Sequence, residues 1–97
     1  MNTANLQIEG LLVAMSTVLR EGMKRGFIHQ GQVTALLDAA EAHVTLDGDR
    51  RESVTPAQLD AICFPIRYLR VVATRPDHEL RFSDIAAEVG RIKPSHS

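Results

Sequence analysis

Between Leu6 and Met23 the apolar residues Ile8, Leu11, Leu12, Met15, Val18, Leu19 and Met23 recur at steps of three and four, with Glu9, Ser16, Arg20 and Glu21 between them. That period is the signature of an amphipathic helix, and it sets the terms for the rest of the chain. Arg20, Lys24 and Arg25 crowd the far end, where positive charge complements the helix dipole. Gly26 is the natural stop, because glycine tolerates the left-handed conformation that closes a helix. The following Phe27 and Ile28 are placed to fold back onto the last turn, as in a Schellman ending.

A second stripe, Val33, Leu36, Leu37, Ala40 and Val44, predicts a helix over Gln30 to Thr45. The short turn between the two predicts antiparallel neighbours, a helical hairpin with a Leu- and Met-rich core. Residues 47–53 hold turn formers and charge without apolar period and read as a loop. Thr55, Pro56 and Gln58 then mark a helix start three ways: a capping threonine, proline at the first helical position, and glutamine placed to complete a capping box. The stripe of this third helix is Leu59, Ile62, Ile66, Leu69 and Ala73, and Pro65 inside it predicts a kink near Cys63 and Phe64 or two shorter helices. A fourth, short helix is expected after Ser83, from Asp84 to Val89, with Gly90 ending it; Glu79 to Phe82 allow an extended piece instead.

The expected fold is therefore all-α, a small four-helix domain: an N-terminal helical hairpin, a Pro-kinked third helix and a short C-terminal helix. A chain of 97 residues suits one domain, spanning 1–97, with 93–97 as a flexible tail. Apolar residues make up 44% and charged residues 24%, which is ordinary for a folded chain; aromatics are 4% without Trp, so the core must rest on Leu, Ile, Val, Met and Ala.

The charge balance, eleven Lys and Arg against twelve Asp and Glu, supplies no global basic field for nucleic acid. Cys63 is the single cysteine, which precludes an internal disulfide and suits a reducing cytoplasm. There is neither a signal-peptide pattern nor a run of about 20 apolar residues, so no membrane association is expected.

Motifs that resemble chemistry fail on spacing. Asp47-Gly48-Asp49 begins like a calcium loop, but Arg51, Glu52 and Gln58 fall where a ligand, the turn glycine and the bidentate glutamate belong. His29, His43, His78 and His96 form no pair at helical spacing, and no nucleophile turn or phosphate loop is present. No enzyme, metal or cofactor is expected. The segment Phe82-Ser83-Asp84-Ile85-Ala86-Ala87-Glu88-Val89-Gly90 resembles the first helix of a helix-turn-helix. The recognition helix that the resemblance implies would have to fit in Arg91 to Ser97, which Pro94 interrupts.

Two surfaces remain. Leu59, Ile62, Ile66, Leu69 and Ala73 form a candidate interaction seam, and with the stripe of the first helix they predict a homodimer. Arg67 and Arg70, with Arg50 and Arg51, form a candidate basic patch whose charge pairing with Asp60 would consume. The expected function is that of a cytosolic interaction module, an adaptor, regulatory or accessory protein binding another protein through a helix face. The alternative from a different class is a nucleic-acid-associated regulator using an arginine-rich face of a homodimer.

Overall fold

A computed structural model describes residues 3–47, 53–75 and 81–91. The described residues hold four helices of ten or more residues: α1 (Thr3–Lys24), α2 (Gln30–Thr45), α3 (Pro56–Thr74) and α4 (Phe82–Arg91). No strand occurs among the described residues. The chain is a small all-α four-helix domain.

Local sequence sets the helix ends. Gly26 takes φ 77°, the Phe27 amide donates to the Gly22 carbonyl at 2.9 Å, and the Gly26 amide donates to Met23 at 3.1 Å. These are the two bonds of a Schellman ending. Ile28 folds back, its Cγ2 lying 3.4 Å from where a Cβ on Gly22 would stand, while Phe27 points outward and is 81% exposed. At α2 the Gln32 side chain accepts from the His29 amide at 2.8 Å. At α3 the Thr55 hydroxyl accepts from the Gln58 amide at 3.1 Å, and the Gln58 side chain accepts from the Thr55 amide at 2.9 Å, which completes the capping box.

The hairpin departs from expectation in its packing. The stripes of α1 and α2 do not bury against each other: Leu12 and Leu19 of α1 and Leu37 of α2 join the core built on α3, while Ile8, Leu11, Met15, Val18 and Leu36 stay exposed. α3 packs on α1, α2 and α4 and is the hub of the fold. This explains why the C-terminal half of α3 is buried nearly all round, at Cys63, Tyr68, Leu69, Val71, Val72 and Ala73. A five-residue stripe suits a helix with one neighbour; three neighbours require three covered faces.

The core is also less aliphatic than composition implies. Leu12 of α1, Ile85 and Val89 of α4, and Leu69, Val71 and Val72 of α3 surround Tyr68, with Phe64 and Phe82 packed against them. Met15 stays 45% exposed.

α3 runs as one helix through Pro65, so the two-helix alternative is not realised. The proline removes one helical donor, and packing on several sides holds the axis together. α4 starts at Phe82, earlier than the Ser83 cap predicted. The Arg81 carbonyl accepts from the Asp84 and Ile85 amides, the Asp84 carboxylate accepts from the Arg81 amide at 3.3 Å, and the Phe82 ring in this first turn packs on Tyr68 in a tilted arrangement. The helix also runs one residue beyond Gly90. Of the extended piece expected at 79–82, residues 79 and 80 lie outside the described residues, as do most of the loop after Asp47 and the 93–97 tail.

Candidate functional site

The helix splay leaves an apolar groove of about 430 Å³ between α1 and α2. Ala14, Met15, Val18 and Leu19 form one wall, Val33, Leu36 and Leu37 the other, Ile28 closes the turn end, and Leu69 of α3 is the floor. Every lining residue is apolar. Its rim is open to solvent, with Val18 73% and Leu36 63% exposed. A cleft of this kind has no group to polarise a bond or move a proton; what it offers is burial of apolar surface.

The sequence seam lies elsewhere. Leu69 and Ala73 are inside the fold, and Leu59, Ile62 and Ile66 are half-buried, so these five residues form no continuous open stripe. The stripe of α1 is the one that stays open, at Ile8, Leu11, Met15 and Val18. Period alone could not rank the two, because it locates an apolar face without saying which neighbour covers it.

Arg67 and Arg70 of the basic patch are internally neutralised. An Arg67 guanidinium nitrogen stands 3.3 Å from Glu41 and another 3.5 Å from Asp60; Arg70 reaches Asp38 at 2.9 Å and Glu41 at 3.0 Å. Sequence reading named Asp60 as a partner and missed Asp38 and Glu41, which reach the arginines only because α2 packs on α3. Tyr68, between the arginines in sequence, points into the core at 1% exposure. Arg50 and Arg51 lie outside the described residues.

Cys63 is fully buried, and burial pushes its thiol above the ordinary value of 9.0, against the nearby Arg67 charge, which lowers it. A protonated buried thiol behaves as a small hydrophobe. Ser16 is buried on the core face of α1, where its hydroxyl faces the Tyr68 phenol. His29 and His43 are exposed, and His78 and His96 lie outside the described residues. Among the described residues no group of three or more His, Cys, Asp or Glu is placed to hold a metal ion. None of the described helices is long and apolar enough to cross a membrane.

Comparison of the chain with protein-family models, with curated proteins and with solved structures gave no match in any of the three.

Proposed function

We propose that this protein is a helix-docking module: a non-catalytic adaptor, regulatory or accessory protein that holds an amphipathic helix in the groove between α1 and α2. The observation that carries the reading is the groove itself, all-apolar in lining and open along the rim formed by Met15, Val18 and Leu36. A helix laying its apolar face into such a cleft is a recurrent recognition mode, and the driving force is the area removed from water. Self-association as a homodimer and a cytoplasmic location belong to the same proposal; the lone free thiol of Cys63 suits a reducing compartment. The nucleic-acid alternative loses support, since Arg67 and Arg70 direct their charge at Asp38, Glu41 and Asp60.

The test is a photo-reactive amino acid placed at Leu36 in cells, with Ala57, exposed on the first turn of α3, as the control position. The expected result is a discrete protein crosslink from position 36 and none from 57. Equal labelling at both, or none at 36, overturns the reading.

A further inference from the structure

The open stripe of α1 has a symmetry that points to one occupant. Ala4, Ile8, Leu11, Met15, Val18 and Gly22 follow one another at steps of four, three, four, three and four, a series that reads the same from either end. Three-four alternation is the spacing of a helix–helix seam. Its large members are uncovered: Ile8 is 43%, Leu11 59%, Met15 45% and Val18 73% exposed. Its end members are small, and no charged side chain occurs from Gly10 to Leu19. Charge depletion at the centre is what distinguishes the core of an interface from ordinary surface.

We propose that the groove's occupant is α1 of a second copy of this chain, laid antiparallel along α1 about a two-fold axis level with Val13; the proposal rests on the groove reading above. In that register Ile8 meets the partner's Val18, Leu11 meets the partner's Met15, and Ala4 meets the partner's Gly22. Each contact occurs twice, as an isologous interface demands. Large residues then fill the middle, and small ones let the helix ends approach. Met15 and Val18 are at once seam and groove wall, so the incoming helix also covers Leu36 on α2. The exposed parts of Ile8, Leu11, Met15, Val18 and Leu36 come to on the order of 500 Å² per copy, or about 1,000 Å² for the pair, which is where specific interfaces begin.

The full-length chain is examined by sedimentation equilibrium alongside Val18→Asp and Val13→Asp. Val13 is also exposed, at 47%, but faces the opposite flank of α1, so it controls for the added charge. The expected result is a mass twice the 10.7 kDa of one chain for wild type and Val13→Asp, and at least tenfold weaker association for Val18→Asp with an unchanged helical circular dichroism spectrum. Orientation is read by disulfide trapping. A mixture of Ile8→Cys and Val18→Cys chains should crosslink one to the other, while neither variant crosslinks to itself. A monomeric wild type, dissociation by Val13→Asp alone, or self-crosslinking of either single variant overturns the proposal. If wild type is monomeric while position 36 still crosslinks a different protein, the groove reading survives and only the second copy is lost. If both fail, the groove is not a docking site.

Discussion

The ring centroids of Tyr68 and Phe82 stand 5.4 Å apart at an interplanar angle of 32°, which fastens α4 to α3. Phe64 extends the cluster on the other side, 6.2 Å from Tyr68. An ion pair from Arg75 at the end of α3 to Glu88 of α4 closes the same contact from the rim. Tyr68 shares one buried cluster with Leu12 of α1 and with Ile85 and Val89 of α4, so truncating its ring opens a cavity between three helices.

Tyr68→Ala is expected to cost about 3–5 kcal/mol, as large-to-small changes at buried aromatics do. Tyr68→Phe keeps the ring and removes only a buried hydroxyl, so it should cost on the order of 1 kcal/mol. Urea unfolding checks both through the midpoint, at unchanged slope. Equal losses in the two variants would place the stabilisation in the hydroxyl rather than in ring packing.

Glu41 is shared by Arg67 and Arg70 and is half-buried where α2 meets α3. Neutralising it as Glu41→Gln leaves two guanidinium groups short of one acceptor, and a loss of about 1–3 kcal/mol is expected. Asp38 meets Arg70 from a carboxylate side chain that is 71% exposed, so Asp38→Asn should cost no more than ~1 kcal/mol and the difference should shrink in high salt. Thermal melts at two salt concentrations separate the cases. Because Arg67 and Arg70 are paired with Asp38, Glu41 and Asp60 in the unaltered chain, that chain is expected to retain no duplex DNA at physiological ionic strength, measured by filter binding.

What could be read in the sequence was local. Thr55 and Gln58 announce the start of α3, and Gly26 the end of α1, because a cap is an exchange among residues within one turn. The hub role of α3 was not legible. It depends on α1 and α2 splaying apart, and the period of each stripe is the same whether the helices cover one another or a third. For the same reason Leu69 and Ala73 looked like surface in a row of five, and Tyr68, Val71 and Val72, off that stripe, gave no sign of being buried. The groove was invisible for the complementary reason: it is the space between two faces, and only Val18 and Leu36 in place together make it.

Gly26 at φ 77° has open space where a Cβ would go, so the cost of Gly26→Ala lies in backbone conformation alone. About 1 kcal/mol is expected, the penalty of a left-handed L residue. Thr55→Ala removes the acceptor of the Gln58 amide and should cost about the same. Chemical denaturation of each variant gives the values; a neutral Gly26→Ala would mean that the turn rearranges.

Cys63 and Tyr68 together predict how stability responds to alkali. Burial raises the thiol above 9.0 and the phenol above 10.0, the nearby Arg67 and Ser16 acting the other way on each. Both groups are neutral when protonated, and the folded state holds their protons more tightly than the unfolded state. Below the unfolded values the two states bind the same number of protons, and the contribution is complete. As pH climbs past about 9 the unfolded thiol ionises first, then the phenol past about 10, and stability falls until the folded groups also lose their protons. Urea midpoints should therefore drop from pH 8 to pH 10.5, and Cys63→Ala should remove the part that begins near 9. A thiol reagent at pH 8 should label native Cys63 only as fast as the chain opens, with denaturant raising the rate in step with unfolding. Rapid labelling of the folded chain would show that the Cys63 side chain is reached without unfolding, and the alkaline loss of stability would then need another origin.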